Sequence, residues 1–229
     1  MEHKDELYYR YLLTSEVSPG AAEAHREIVA DYFWRIFRSN DCRRVLDVGC
    51  GLGSFISKAT AGVETVGIDA NRKVVEHCRA AGLAVLQGTA EQLPFDSADP
   101  MDGIMCSHLL EHIADPEPAF RECARVLRPG GVLIVRVPPF DRSFYDDWTH
   151  VRPYTKKSLT RLAAATGFDP IRAYHYHYDL PFRHWRNPLF RTINIIRRLP
   201  LVRPAVDALV RAFGLPPKEL VLIARKKKS

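Results

Sequence analysis

Apolar residues recur along this chain in two rhythms, one helical and one of short runs. Residues 20–39 carry Ile28, Tyr32, Trp34, Ile36 and Phe37 near helical spacing, which predicts an amphipathic helix. From there, short apolar runs alternate with helical patterns. Strands are predicted at 43–49, 63–69, 83–88, 102–108 and 132–138, and helices at 54–61, 72–82 and 115–131. The last of these helices has Asp115 as its N-cap and Pro116 in its first turn, and "RPGG" is expected to stop it. A helix at 155–167 and strands at 168–178 and 219–226 complete the pattern.

Nearly continuous apolar strands separated by helices indicate βαβ units, with a parallel sheet covered on both faces. The strands at 168–178 and 219–226 lack a long crossover helix between them, which suggests an antiparallel pair at one sheet edge. Residues 1–42 read as an N-terminal helical cap and 43–229 as the main domain. Residues 180–214 form an insert before the last strand.

Composition narrows the class without changing this outline. The chain has 229 residues, 46% hydrophobic and 26% charged, as expected for one globular domain with a full core. No run of about 18 apolar residues predicts a spanning helix. "MEHKDELYYRYLL" lacks the apolar core and small-residue cleavage site of a signal peptide. Cys42, Cys50, Cys78, Cys106 and Cys123 are scattered, with no C-x-x-C, and fit reduced thiols in a cytoplasmic protein.

Charge does change the picture. The net charge is +6, and seven arginines stand against one acid, Asp207, between Arg183 and Phe213. Within 187–214, Val206, Leu209, Val210 and Phe213 follow helical spacing, and Leu189, Ile193 and Ile196 form a second apolar row. Two short basic amphipathic helices of this kind suit peripheral contact with an anionic membrane, a cover over a lipid-linked substrate, or a helical lid or dimer surface. No aromatic stacking platform accompanies the arginines, which argues against nucleic acid.

The chemistry begins at "VLDVGCGLGSF". Gly49, Gly51 and Gly53 stand where a strand gives way to a helix, so the backbone can turn tightly and approach a ligand. The spacing is G-x-G-x-G rather than the dinucleotide fingerprint G-x-G-x-x-G. Asp47 precedes the loop; its carboxylate would repel a pyrophosphate and suit an ammonium group. Asp69, ending the second strand, can accept hydrogen bonds from a ribose diol. A ligand with a ribose and an ammonium group but no phosphate fits S-adenosylmethionine.

"VLDVGCGLG", "GID", "GTAEQLPF", "MDGIMCSHLLEHIADP" and "RVLRPGG", in this order across residues 43–170, resemble the class I S-adenosylmethionine-dependent methyltransferases of small-molecule type. The resemblance implies a Rossmann-like, doubly wound α/β sheet of seven strands, mostly parallel, with the last strand antiparallel. It implies that Asp47, Gly49, Cys50, Gly51 and Gly53 surround the methionine part of the cofactor. Asp69, with Ala70 beside it, would hold the ribose. Thr89, Ala90 and Glu91 would flank the adenine, although the family often has Asp where this chain has Thr89. Ser107, His108 and Leu109 would line the sulfonium side. His112, in "LLEHI", matches a common family position, as a pocket-shaping or catalytic histidine.

Methyl transfer from a sulfonium is an in-line displacement. It needs alignment of the acceptor at about 3 Å and exclusion of water, and an alcohol acceptor gains from a general base. "DDWTHVRPYT" (146–155) follows the fifth strand, at the sheet end where open α/β proteins bind ligands. It resembles a D-x-x-H-x-R-x-[YF]-[ST] pattern of glycan- and polysaccharide-pathway methyltransferases. His150 is the expected base and Asp147 its orienter, with Arg152 and Tyr154 as substrate or loop contacts. The same residues would equally make a capped loop around a structural histidine. Further on, His175, His177 and Asp179 alternate onto one strand face, a partial metal set that lacks further ligands; no metal is expected.

The expected function is therefore O-methylation of a sugar, glycan or lipid-linked acceptor. The alternatives are a quinone, lipid or other small metabolite as acceptor, or a catalytically silent cofactor-binding scaffold.

Overall fold

The computed structural model describes residues 2–14, 19–176 and 219–228. Helices α1 (Glu2–Thr14) and α2 (Pro19–Arg38) lead into the alternating part. There follow β1 (Arg44–Val48), β2 (Glu64–Asp69), α3 (Arg72–Ala80), β3 (Val85–Gln87), β4 (Met101–Ser107), α4 (Glu117–Val126) and β5 (Leu127–Val137). The chain then forms α5 (Lys156–Ala165), β6 (Phe168–Tyr176) and β7 (Glu219–Lys226).

The seven strands make one sheet in the order β3-β2-β1-β4-β5-β7-β6. Strands β1 to β5 pair in parallel, and β7 runs antiparallel to both β5 and β6. The sheet is Rossmann-like, with the antiparallel last strand inserted one place in from the edge. Strand pleating sends alternate side chains to opposite faces, and both faces are apolar. Leu46, Ile68, Leu133 and Val135 join Phe120 of α4 and Leu159 of α5 in one core cluster. Val45, Val132 and Ile134 join Phe33 and Phe37 of α2 and Val74 of α3 in the other.

Helix α2 buries Val29, Ala30, Phe33, Trp34 and Phe37, a stripe rotated slightly from the row expected. Trp34 stacks on Phe55 at 4.5 Å between centroids and donates its indole N–H to the Phe55 carbonyl at 3.1 Å. Phe37 lies so close to β4 that a Cβ at Gly103 would stand 2.6 Å from its ring.

Four local expectations are corrected. Residues 54–61 hold only a single 3-10 turn, Ile56–Lys58, rather than a helix. Ser54, Ser57 and Thr60 offer the backbone rival hydrogen bonds, as when the Ser57 hydroxyl donates to the Ser54 carbonyl at 3.1 Å. Helix α4 ends at Val126, well before "RPGG", because Arg128 precedes Pro129 and is driven to extended backbone; Leu127 already pairs with Met101. Pro116 occupies the N-cap position of α4, and Asp115 accepts from the Glu117 N–H at 3.3 Å from one residue earlier. Strand β3 starts at Val85, since the Leu83 N–H still bonds the Cys78 carbonyl at 3.0 Å in the turn that ends α3.

The insert at 180–214, with His177 and Asp179, lies outside the described residues. Among the described residues no helix is long and apolar enough to cross a membrane.

Candidate active site

Strand order reverses at β1, which has β2 on one side and β4 on the other. Loops leaving the carboxyl ends of β1 and β4 therefore diverge, and the crevice between them is the natural ligand site of such a sheet. The glycine loop leaves β1 there, with Gly49, Gly51 and Gly53 all at positive φ: 73°, 51° and 75°. Its start is pinned to β2: the Gly49 and Cys50 N–H groups both donate to the Ile68 carbonyl, at 2.8 and 2.9 Å. A Cβ on Gly51 would meet nothing within 4 Å, so the middle of the loop faces open space.

Asp69 ends β2 and holds this loop. One carboxylate oxygen accepts the Gly51 N–H at 3.0 Å, and the other accepts the Asn71 N–H at 2.9 Å. Asn71 in turn caps α3 through the N–H groups of Lys73 and Val74. Ala70 and Thr89 are exposed beside Asp69, Ala90 is buried, and Glu91 is exposed. Cys50 turns its thiol away from the crevice toward Gly67, whose missing Cβ would lie 2.7 Å from the sulfur. Only the Cys50 backbone can serve a ligand.

Asp47 is buried at the end of β1. Burial pushes its carboxyl up to about 7; Arg136 opposes this rise and Asp69 adds to it. A cationic ligand group would relieve that strain on the charged form.

Strand β4 ends on Ser107, and the chain runs on into His108 and Leu109. His108 adopts φ 52°, a left-handed conformation rare for a residue with a side chain. Its Nε2 lies 2.7 Å from Glu219 and its Nδ1 3.3 Å from Glu111. The ring is 44% exposed as a whole, yet both carboxylates it faces are fully buried. Desolvation opposes its charge, but Glu111 and Glu219 prevail and raise its pKa to about 9. Arg136 completes the network. Its guanidinium clamps Glu219 with two nitrogens, Nε at 2.8 Å, and donates from Nη1 to the Ser107 hydroxyl at 3.0 Å. Leu109 packs over the glycine loop, where a Cβ on Gly49 would stand 3.1 Å from its methyls.

The loop of residues 146–152 docks on the turn that follows Leu109. The Val151 and Arg152 N–H groups both donate to the Glu111 carbonyl, at 2.8 and 3.1 Å. This brings His150 beside His112, with 4.9 Å between ring centroids. His150 Nδ1 donates to the Phe144 carbonyl at 2.6 Å, and His112 Nδ1 donates to the Thr149 carbonyl at 3.2 Å. A carbonyl can only accept, so Nδ1 is the donor on each ring and Nε2 is the nitrogen left for other partners.

The expected pairing of Asp147 with His150 is corrected. Asp147 stands 3.7 Å from His150 Nε2, too far for a hydrogen bond, and the Phe144 carbonyl sets the ring instead. One Asp147 oxygen takes the Thr149 N–H and hydroxyl at 2.9 and 2.5 Å; the other takes the Tyr11 hydroxyl at 3.0 Å. Arg152 and Tyr154 are loop contacts: Arg152 Nε donates to the Ala114 carbonyl at 2.9 Å, and the buried Tyr154 hydroxyl donates to the Leu110 carbonyl at 3.3 Å. Thr155 caps α5 in a reciprocal box with Ser158.

Helix α1 lies within the expected N-terminal helical cap of residues 1–42, where apolar spacing marks individually only the helix at 20–39. It spans both sides of the site, reaching α3 through Lys73–Glu6 and Tyr9–His77 (3.1 Å) and the 146–152 loop through Tyr11. Tyr8 lies between the two sides. Burial raises its hydroxyl pKa to about 12, and the charges of Asp69, Glu111 and Asp147 add to the rise. Glu111, Arg136 and Glu219 escaped the sequence reading. The available signal was a charge inside an apolar run, as in "VLIVRVP" and "ELVLI".

Residues 46–135 match the family described as "Methyltransferase domain". The chain is similar to proteins named ubiquinone biosynthesis O-methyltransferase. One from Caulobacter sp. (strain K31) is 38% identical over 100 residues, covering 40% of this chain and 39% of the relative. Another, from Alkalilimnicola ehrlichii, is 37% identical over 113 residues, covering 45% of each. The chain thus spans less than half the length of these relatives. A SAM-dependent methyltransferase structure from Archaeoglobus fulgidus shares the fold at TM-score 0.62, with 24% identity, over 88% of this chain and 94% of that one. One from Mesorhizobium loti does so at TM-score 0.58, with 19% identity, over 84% of this chain and 97% of that one.

Proposed function

We propose that this chain, which carries in residues 46–135 the methyltransferase domain of the class I S-adenosylmethionine-dependent enzymes, transfers the sulfonium methyl group to a hydroxyl oxygen. The observation that carries this reading is the meeting of two loops. The glycine loop with Asp47 and Asp69 supplies a cofactor side, and the 146–152 loop brings His150 and His112 to the same crevice. Helix α1 supports this reading, because it contacts α3 through Glu6 and Tyr9 and the 146–152 loop through Tyr11.

Each group then has a task. Asp47 receives the ammonium group, the glycine backbone lies along the methionine part, and Asp69 accepts from the ribose diol. Thr89, Ala90 and Glu91 border the adenine. The acceptor oxygen attacks the methyl carbon in line, and the electron pair of the breaking C–S bond stays on sulfur. The hydroxyl proton leaves toward the acceptor side, where His150 Nε2 is the nitrogen left to take it. Helix α1 and the docked loop exclude water, which strengthens every charge interaction inside.

For the acceptor, a phenolic hydroxyl on a quinone-type ring is the best-supported class. The relatives are named for O-methylation in ubiquinone biosynthesis. Trp148 in the acceptor loop, at 80%, and Phe140 and Tyr145 just before it stand exposed and offer an apolar, aromatic surface. A phenol, with a pKa of about 10, yields its proton to an imidazole far more readily than a sugar alcohol does. The sugar acceptor expected from the "DDWTHVRPYT" pattern draws no such support.

Calorimetry with S-adenosylmethionine, followed by turnover on a catechol and on a sugar, tests the reading. Binding and catechol methylation are expected. Absence of cofactor binding would overturn it, and turnover on the sugar alone would return the acceptor to the glycan class.

A further inference from the structure

We propose that Cys50 and Cys78 are a modification site: a dithiol that an oxidant of the peroxide class closes to a disulfide, weakening the grip of the glycine loop on the cofactor. All five cysteines are free and buried. Two of them converge. Cys50 leaves the end of β1 in the glycine loop, and Cys78 stands in the last turn of α3. Their sulfurs lie 3.6 and 3.3 Å from one and the same oxygen, the Gly51 carbonyl. The two thiols also hydrogen-bond to each other. Glycines make the room for them. A Cβ on Gly67 would stand 2.7 Å from the Cys50 sulfur, and one on Gly53 would stand 3.4 Å from the Cys78 sulfur.

The arrangement gives the two thiols different tasks. The thiolate is the reactive species of a cysteine. The bond from the Cys50 thiol favours a thiolate at Cys78 and lowers its pKa, against burial and the charges of Asp69 and Asp47. The same bond, with burial, raises the pKa of Cys50, which keeps its proton. The Cys78 thiolate attacks one peroxide oxygen, the O–O bond breaks, and hydroxide leaves with the proton that Cys78 released, as water. This gives a sulfenic acid at Cys78. The Cys50 sulfur then attacks the Cys78 sulfur, the S–O bond breaks, and a second water leaves with the Cys50 proton. Two thiols and one peroxide become one disulfide and two waters. A dithiol reductant reverses the step.

The site sits where a small change matters. The middle of the loop faces open space at Gly51, so the oxidant reaches the thiols from the crevice, past that residue. A disulfide is far shorter than a contact between two thiols, so closing it draws Cys50 toward α3 and takes Gly51 with it. The Gly51 carbonyl loses both sulfur donors, and the bond from the Gly51 N–H to Asp69, at 3.0 Å, is pulled out of line. A bound cofactor lies over this path and slows the oxidation. The dithiol stands on its own geometry; its effect on cofactor affinity rests on the proposed function.

The test uses the full chain, reduced, freed of reductant and treated with hydrogen peroxide. Peptide mapping without reduction should find Cys50 linked to Cys78. Calorimetry should find S-adenosylmethionine bound at least about tenfold more weakly than by the reduced chain, with recovery after dithiothreitol. S-adenosylmethionine added before the peroxide should slow the link. In Cys78→Ala no such link forms, and peroxide should leave the variant's own cofactor affinity unchanged. If that variant fails to fold, the wild-type peptide map still decides. The inference is overturned if treated wild-type chain keeps Cys50 and Cys78 as thiols or oxidises them singly, or if the linked chain binds S-adenosylmethionine as tightly as the reduced one. If the reduced chain binds no S-adenosylmethionine, the methyl-transfer reading falls and takes the affinity effect with it, while the map alone still decides the dithiol.

Discussion

The Tyr11 hydroxyl donates to the Asp147 carboxylate at 3.0 Å, tying the first helix to a loop 136 positions later in the chain. Through this bond α1 spans the crevice, since Glu6 and Tyr9 hold its other contacts on α3. Tyr11→Phe removes one hydrogen bond, worth about 1 kcal/mol, and shifts the balance between closed and open helix about fivefold. Amide exchange in residues 2–14 should accelerate by that factor, and the KM for acceptor should rise several-fold. Unchanged exchange would show that α1 is held elsewhere.

Gly51 and Gly53 separate binding from folding. Both sit at positive φ, so alanine is strained by about 1–2 kcal/mol at either place. At Gly51 the added methyl meets no protein atom, while at Gly53 it would stand 2.4 Å from a Leu83 methyl, which must move. Gly51→Ala should lose only the strain energy but weaken cofactor binding tenfold or more, because its methyl enters the open face of the loop. Gly53→Ala should lose roughly 2–4 kcal/mol of stability as strain and overpacking combine. Chemical denaturation and calorimetry on both variants check this, and equal stabilities would refute it.

How far these features could be read in advance depended on sequence distance. The sheet was legible because period-two and helical apolar rhythms are local, as in "RRVLDVG" and "ELVLIARK". The glycine loop and Asp69 were legible because their spacing is short and chemically restrictive. Helix α1 was legible only as part of a helical cap and not by its bounds, since Glu2–Thr14 scatters charges among its tyrosines and leucines and shows no clean stripe. The segment 54–61 was misjudged because serine and threonine compete with helical hydrogen bonds. The network of Arg136 and Glu219 joins residues 83 positions apart, and pairing at that range follows from strand order, which no local pattern encodes. The docking of residues 151–152 on Glu111 is hidden for the same reason. It decides what His150 faces.

Asp47 predicts a pH dependence. Burial, with Asp69 adding to it and Arg136 opposing, raises its pKa from 3.8 to about 7 in the folded chain without cofactor. Between those values the folded state holds a proton that the unfolded state has released, so this group makes the chain less stable as pH rises from about 4 to about 7. Cofactor binding runs the other way. The ammonium group needs the ionised carboxylate, so affinity should fall as pH drops below about 7 and binding should release protons. Asp47→Asn should bind weakly with little pH dependence between about 6 and about 8. Calorimetry in buffers of different ionisation enthalpy measures the proton count directly.

Glu219 makes the opposite prediction. Burial alone would raise its pKa, but Arg136 and His108 overcome this and lower it from 4.5 to about 2. Its contribution to stability is therefore complete above the ordinary value of 4.5 and is lost as pH falls toward about 2. Glu219→Gln leaves the guanidinium of Arg136 buried without its counter-charge, a change that costs about 3–5 kcal/mol when one partner of a buried pair is removed. The double variant Glu219→Leu, Arg136→Met removes both members and should recover much of that loss, because an apolar pair of similar size avoids desolvating two charges. It also frees His108 from one of its two carboxylates, so the His108 pKa should drop from about 9. Urea denaturation of the single and double variants from pH 7 down to pH 3 separates these effects. Wild type should lose stability steadily below about pH 4.5, and Glu219→Gln should start lower but decline less steeply. If the single variant is as stable as wild type at pH 7, the network contributes no net stability. Arg136 would then serve to set the charge felt by Asp47.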